Sequence, residues 1–151
     1  MMQPSLARLA AGPVAIIECS QKIPCNPCAD ACQRGAIKSF GDINDCPELD
    51  VGRCNGCGAC MACCPGLAIF VVDYSYSPDR ALVKIPYEFS PVPREGERVE
   101  ALNRSGQPVG LAEVIKVQSY KNKTRVLGLA VPEAIAMEVR HVRQLQKGEQ
   151  P

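Results

Sequence analysis

Ten cysteines lie between Cys19 and Cys64, and the rest of the 151-residue sequence contains none. Such a density has two common explanations: disulfides made in an oxidising compartment, or thiolates that hold a metal in a reducing one. The first residues do not resemble a secretory signal, because Arg8 comes late and prolines interrupt the apolar segment. No apolar run reaches the length of a membrane span. The sequence therefore predicts a cytoplasmic metal-binding protein without a membrane span.

The spacing of the downstream cysteines indicates the kind of metal site. Residues 54–65 read CNGCGACMACCP, which contains the pattern C-x2-C-x2-C-x3-C-P. This pattern resembles the run that binds [4Fe-4S] clusters in bacterial ferredoxins, where the fourth thiol serves a second cluster. Gly56 and Gly58 allow the tight or left-handed backbone turns that such a loop needs. A zinc site would use two separated pairs of ligands and would leave the third close thiol without a role.

A second, imperfect copy of this motif lies upstream. Residues 19–33 read CSQKIPCNPCADACQ, and the spacing matches the motif backwards from Cys32 as far as Cys25. The next expected cysteine position is occupied by Lys22, a cation that would raise the potential of a neighbouring cluster. Cys19 is the nearest remaining thiol upstream. The upstream copy therefore has one uncertain ligand.

Both copies are followed by similar apolar residues, at 35–37 and 66–69, so each predicts a loop, a short helix and then a strand. Residues of about 14–73 resemble the bacterial two-[4Fe-4S] ferredoxin family. The resemblance implies two paired halves and swapped ligation of two [4Fe-4S] clusters. The implied ligands are Cys25, Cys28, Cys64 and a third upstream thiol for one cluster, and Cys32, Cys54, Cys57 and Cys60 for the other.

Alternatives stay open at the upstream cluster. Cys19 is the better candidate for the uncertain ligand, because a longer loop can still deliver its thiolate to the empty corner. Cys46, in the connector between the two copies, is the alternative, and a three-iron cluster without a ligand there is another. Cys63 adjoins Cys64, and neighbours on a helical turn point about 100° apart, so both cannot easily reach one cluster. We expect Cys63 to be a small buried residue instead.

The character of the chain changes after residue 73. Residues 74–94 contain four prolines and predict an extended connector. Residues 96–131 alternate short apolar runs with turn signals, as is typical of β-hairpins in a small barrel or open sheet. Within them, a basic hairpin predicts a solvated tip, with docking to an acidic partner as the alternative. Its cations are Lys116, Lys121, Lys123 and Arg125.

The end of the sequence predicts a helix. Pro132 suits a first helical turn, and apolar residues recur on one face at Ile135, Val139 and Val142. The expected fold class is therefore α+β, with a ferredoxin-like domain followed by a small β-barrel or open sheet and a C-terminal helix. The predicted domains are residues 1–78 for the two-[4Fe-4S] ferredoxin-like domain, 79–94 for a proline-rich connector, and 95–151 for the β appendage with its helix.

The sequence shows no catalytic constellation. The single histidine, His141, lies on the predicted helix, where a solvated surface position is expected. No glycine-rich dinucleotide or phosphate loop occurs, so the chain is expected to bind neither NAD nor ATP through those motifs. We therefore expect a non-catalytic component of an oxidoreductase.

The whole chain is similar to the iron–sulfur subunits of multi-subunit flavin-dependent dehydrogenases of the proline, hydroxyproline and opine type. The resemblance rests on IEC at residues 17–19, IPCNPC at 23–28 and IPYEF at 85–89. It implies a hetero-oligomer in which this chain relays single electrons between FAD in a partner flavoprotein and another redox centre. The FAD is expected in the partner and not in this chain.

Two other functions are weighed against this one. A freely diffusing ferredoxin would not need the long C-terminal region. A nucleic-acid-binding module with structural clusters is disfavoured, because 17 Lys plus Arg are balanced by 16 Asp plus Glu and aromatic residues are few. No nucleic-acid partner is expected.

Overall fold

Seven strands of the described residues form one continuous antiparallel sheet in the computed structural model. The structure describes residues 4–19, 25–38, 41–89, 91–120 and 123–145. The strands are β1 (Val14–Ile17), β2 (Ile69–Asp73), β3 (Arg80–Tyr87), β4 (Arg98–Leu102), β5 (Pro108–Ser119), β6 (Arg125–Pro132) and β7 (His141–Gln144). Their order in the sheet is β1-β2-β3-β6-β5-β4-β7.

The helices are short. They are α1 (Leu6–Ala11), α2 (Pro27–Ala31), α3 (Ala59–Cys63) and a single 3₁₀ turn at Glu133–Ile135. The Ser5 hydroxyl caps α1 by accepting a hydrogen bond from the backbone amide of Arg8 at 3.2 Å. Across the described part of the chain, every helix is too short or too polar to cross a membrane.

Strands β1 and β2 are buried on both faces. Alternate side chains of a strand point to opposite sides, so one strand can belong to two cores. On one side, Val14, Ile16, Phe70 and Val72 join the main core formed by all seven strands. On the other side, Ala15, Ile69 and Val71 pack with Cys28, Cys60 and Met61. The pair β1–β2 therefore separates the main core from a layer that carries the cysteines.

A buried ion pair joins the two ends of the sheet order. Glu18, directly after β1, accepts a hydrogen bond from the guanidinium of Arg140, directly before β7. The side chains are only 10 % and 6 % exposed. The guanidinium carbon of Arg140 also lies 4.8 Å from the ring centroid of Phe70 in β2. Because β1 and β7 stand at opposite ends of the strand order, these contacts show that the sheet is curled and that its two ends approach each other.

The expected α+β fold class is wrong. The protein is mostly a seven-stranded antiparallel sheet with few short helices. Half of the predicted connector 79–94 is β3, which pairs with β2 on one side and with β6 on the other. Its proline is tolerated because Pro86 lies beyond the last residue paired with β2, Lys84, and so has a strand neighbour on one side only. The domain division stays a prediction; the sheet runs across both proposed boundaries.

The predicted C-terminal helix is also wrong. A single 3₁₀ turn follows β6, and the chain then returns to the sheet as β7. The spacing of Val139 and Val142 resembled a helix because both are buried in the main core. Val142 pairs with Ala101, so the backbone groups of this segment complete the β4 edge instead of bonding within a helix.

Candidate metal centre

Four of the predicted ligands line one cavity. They are Cys19, Cys25, Cys28 and Cys64. The cavity is partly open to solvent, and its walls include Ile17 and Ile69. Three different parts of the chain supply these thiols: the segment after β1, the start of α2, and the end of α3. Cys46 does not line this cavity, although its neighbours Asp45 and Pro47 do.

The thiols in this cavity influence one another's charge. Burial raises the pKa of Cys28, the backbone amide of Ala29 opposes this, and the nearby Cys64 and Cys25 raise that pKa further. Several thiolates cannot share such a site without a counter-charge, because like charges disfavour one another's ionisation. A bound cationic metal centre supplies that charge, and its binding is coupled to loss of the thiol protons. The donor chemistry therefore fits an iron–sulfur cluster.

The remaining predicted ligands lie in the neighbouring loop and at the end of α2. The pKa of Cys60 is raised to about 12, chiefly by burial and further by nearby Cys54 and Cys57. Cys28 contributes to the same shift, so the two sets of thiols are neighbours. Cys32 and Cys54 both pack against the buried group that contains Cys28 and Cys60. The structure thus brings all eight predicted ligands into one layer, while their binding of metal stays a prediction.

The last cysteine of each motif copy has the same backbone environment. The amide of Ala36 donates to Cys32 Sγ at 3.3 Å, and the amide of Ala68 donates to Cys64 Sγ at 3.4 Å. Burial raises the pKa of Cys32, but the backbone amides of residues 34–37 outweigh it and the net pKa is lowered. Amides aimed at sulfur stabilise a thiolate, which is the form that binds metal.

A left-handed residue makes this environment possible in each copy. Gly35 has φ of 65° and Leu67, its counterpart, has φ of 53°. A positive φ is uncommon for a residue with a side chain. Leu67 therefore adopts a conformation that the fold imposes, because the same turn must present amides to Cys64.

Two cysteines, Cys63 and Cys46, lie outside the predicted ligand sets. Cys63 was expected to be buried, but its side chain is exposed. Cys46 is half-buried, and whether it is a ligand stays open. Lys22 and Lys121 lie outside the described residues. Within the described part of the chain, no group of three His, Cys, Asp or Glu side chains is arranged around a single metal ion. A cluster sets a different requirement, since it binds each of its thiolates through a different iron.

The only histidine is held by aromatic contacts. The His141 ring stacks on Tyr87 with centroids 5.6 Å apart, and Phe89 contacts it edge-on at 4.9 Å. Burial lowers the pKa of His141. Its half-buried position differs from the solvated one expected from the sequence, and its contacts are those of a packing residue.

Sequence reasoning missed the role of Arg8. Its guanidinium donates to the carbonyl oxygens of Val51 and Cys54 at 2.7 Å each, and to those of Gly12 and Pro13 at 3.1 Å each. These bonds tie α1 to the loop that carries Cys54. No sequence motif marks such a residue, because its acceptors are backbone groups and two of them, in Val51 and Cys54, lie far along the chain.

Comparison with known proteins gives a partial match. The chain is 41 % identical over 51 residues to the ferredoxin-type protein NapF of Escherichia coli K12, and equally to the protein of that name from Escherichia coli O157:H7. The match covers 32 % of this chain and 31 % of each relative, so the chain spans about a third of the length of these curated relatives. No family model and no solved structure matches the chain. The similarity and the cysteine pattern together identify an iron–sulfur region of the ferredoxin type.

Proposed function

We propose that this protein transfers single electrons through two [4Fe-4S] clusters and works as a subunit of a flavin-dependent dehydrogenase. The observation that carries the electron-transfer part is the cavity lined by Cys19, Cys25, Cys28 and Cys64. It lies beside the group of Cys54, Cys57 and Cys60, whose charges are coupled to each other and to Cys28. Two adjacent four-thiol sets are the arrangement that two-cluster ferredoxins use.

Each of the two sets of cysteines would hold one cluster. Cys19, Cys25, Cys28 and Cys64 would hold one cluster, and Cys32, Cys54, Cys57 and Cys60 the other. When bound, such clusters accept and release one electron at a time. The amides around Cys32 and Cys64 stabilise thiolate charge, and the apolar walls around Ile17 and Ile69 limit access of water to the sulfurs.

The site nearest the surface is the second one. Each site has one buried ligand, Cys28 in the first and Cys60 in the second, but Cys57 of the second site is the one predicted ligand that is exposed. Electron transfer is fastest over short distances, so a partner's redox group would approach the cluster that Cys57 holds. This is the face where a flavin in a partner subunit would exchange electrons with the chain.

The subunit assignment is a proposal that rests on resemblance and on exposed apolar residues. Phe89 is 59 % exposed and Leu111 is 47 % exposed. Large exposed apolar side chains mark contact surfaces when they form a patch. However, Ile85 and Tyr87, which the sequence analysis assigns to an exposed connector, are buried in the main core.

Because that burial removes much of the apolar surface expected for docking, a diffusing ferredoxin is the second candidate. It shares the clusters and the electron chemistry with the first. The two differ in whether the protein has one permanent partner.

The proposed function is tested in two steps. Anaerobically purified protein should contain about eight iron and eight sulfide, from two four-iron clusters. Co-expression with its genomic neighbours, followed by size exclusion with light scattering, should yield a stable complex that contains a flavoprotein. A Cys60→Ser variant, which loses a proposed ligand, should contain less iron and serves as the comparison for the iron content.

Each step can contradict a different part of the proposal. Zinc in place of iron would exclude the electron-transfer function. A well-folded 16.3 kDa monomer that reduces many unrelated acceptors equally well would replace the subunit by the diffusing ferredoxin.

A further inference from the structure

The hairpin between β5 and β6 brings a tyrosine to the cysteine layer. Tyr120 directly follows β5, and its backbone amide donates to the carbonyl oxygen of Thr124 at 2.9 Å. The amide of Lys123 donates to the carbonyl oxygen of Tyr120 at 2.8 Å. These two bonds fix the backbone of Tyr120 where the hairpin turns. The residue is therefore held in place by the part of the sheet that contains no candidate ligand.

The phenol of Tyr120 lies against the loop between Cys57 and Cys60. A β-carbon added to Gly58 would come within 3.1 Å of the Tyr120 hydroxyl oxygen and 3.2 Å of the Met61 methyl carbon. Gly58 has φ of 84° and is the N-cap of α3. A glycine at this position therefore serves two purposes: it permits the left-handed turn, and it makes room for the hydroxyl group.

The ring of Tyr120 is part of the same packed layer. It contacts the buried group that includes Cys60, Met61 and Val126. Burial raises the pKa of Tyr120, and nearby Cys57 and Cys60 raise it further. A tyrosine hydroxyl group carries its proton at neutral pH whatever this shift, so it can donate a hydrogen bond to an acceptor in the loop around Gly58.

We propose that Tyr120 tunes the metal centre held by Cys32, Cys54, Cys57 and Cys60 by donating a hydrogen bond to one of its sulfurs. This inference rests on the proposed function, since it requires a cluster in that site. A donor at the sulfur offsets the negative charge that arrives with an electron. It therefore favours the reduced state and raises the potential of that one centre. Tyr120 is a positioning residue and not a ligand.

The test uses the intact holoprotein and the Tyr120→Phe variant. Phenylalanine keeps the ring packing and removes only the hydroxyl group. A redox titration followed by electron spin resonance should show one centre shifted to lower potential and the other unchanged, at equal iron content. The coupling of an exchangeable proton to the shifted centre should also disappear, as judged by comparing spectra in ordinary and heavy water.

Tyr76→Phe is the matched control, because Tyr76 is 37 % exposed in a turn and should change neither potential. Unchanged potentials in a fully loaded Tyr120→Phe protein would overturn the inference, and so would equal shifts of both centres. If the unsubstituted protein carries no cluster, the proposed function fails and this inference fails with it. These two failures are distinguished by the iron content of the unsubstituted protein.

Discussion

The guanidinium of Arg8 donates a hydrogen bond of 2.7 Å to the carbonyl oxygen of Cys54, a predicted ligand 46 residues further along the chain. Three other carbonyl oxygens accept from the same side chain. A single guanidinium with its planar set of donors can satisfy all four, whereas the ammonium of lysine offers three donors from one point. Arg8 is therefore the clamp that sets the position of the Cys54 loop.

We expect Arg8→Lys to weaken this clamp and Arg8→Met to remove it. A hydrogen bond from a charged group contributes about 1.5–3 kcal/mol, and the four bonds of one side chain are not additive, so Arg8→Met should lower the free energy of unfolding by about 3 kcal/mol. Arg8→Lys should lie between Arg8→Met and the unsubstituted protein. Chemical denaturation measures the change, with Arg98→Lys as control because Arg98 is an exposed residue of β4. Equal stability of Arg8→Met and Arg98→Lys would contradict the clamp.

A methyl group should not be tolerated at Gly56. Its φ is 70°, and an added β-carbon would lie 2.4 Å from the β-carbon and 2.7 Å from the carbonyl carbon of Pro13. A left-handed conformation and overpacking together cost about 2–5 kcal/mol. Gly56→Ala should therefore lower the melting temperature and reduce the iron bound by the Cys54 loop.

Gly66→Ala is the matched substitution in the same region. A β-carbon there meets nothing within 4 Å, and its φ is not in the left-handed range. Iron content and stability should stay within the scatter of the unsubstituted protein, with a change below about 0.5 kcal/mol. If the two alanine variants behave alike, the contact with Pro13 does not constrain the loop.

The two arginines that share Glu18 should differ in their contribution to stability. Arg140 is 6 % exposed, whereas Arg104 is 67 % exposed. Removing one partner of a buried pair leaves an uncompensated charge and costs about 3–5 kcal/mol, while an exposed pair contributes about 0–1 kcal/mol. We expect Arg140→Met to destabilise strongly and Arg104→Met weakly, as measured by urea denaturation. Similar losses for both variants would show that burial of the pair does not decide its strength.

Substitution of single cysteines distinguishes metal ligands from cysteines that bind no metal. Cys19→Ser should remove or damage one cluster, because Cys19 lines the cavity with three other predicted ligands. Cys63→Ser should leave both clusters intact, since Cys63 is exposed beside Cys64. Iron analysis and spin resonance measure both effects. A greater loss from Cys46→Ser than from Cys19→Ser would assign the uncertain ligand to Cys46.

The cysteine sets stay a prediction, and the sequence could suggest them because cysteine spacing is a local property. Thiols separated by two residues in one loop lie close together whatever the rest of the fold, so the sequence was sufficient to group Cys54, Cys57 and Cys60. The selection of Cys19 over Cys46 used only loop length, and the cavity contains Cys19. Whether these thiols bind clusters is a question for the metal analysis.

The sheet could not be predicted in the same way. The prolines between residues 78 and 93 indicate that no strand forms there. However, β3 accommodates Pro86, because that residue pairs with β6 but not with β2. The helical spacing of Val139 and Val142 reflected burial, and the pairing of Val142 with Ala101 decided the secondary structure. Arg8 and Tyr120 act through contacts with distant parts of the chain, which a local pattern does not encode.

If the cysteine layer holds the proposed clusters, the burial of β1 and β2 on both faces has a consequence when iron is scarce. Without clusters, the cysteine layer would lose its internal cross-links, and Ala15 and Val71 would lose their packing on that side. Detachment of these two strands would uncover Leu82–Lys84, the part of β3 that pairs with β2, and would leave the whole edge of β3 along Arg80–Tyr87 without a strand neighbour on that side. A long unpaired edge with apolar residues promotes strand addition between molecules. Under iron shortage the protein would then aggregate and would not remain in solution as a colourless apoprotein.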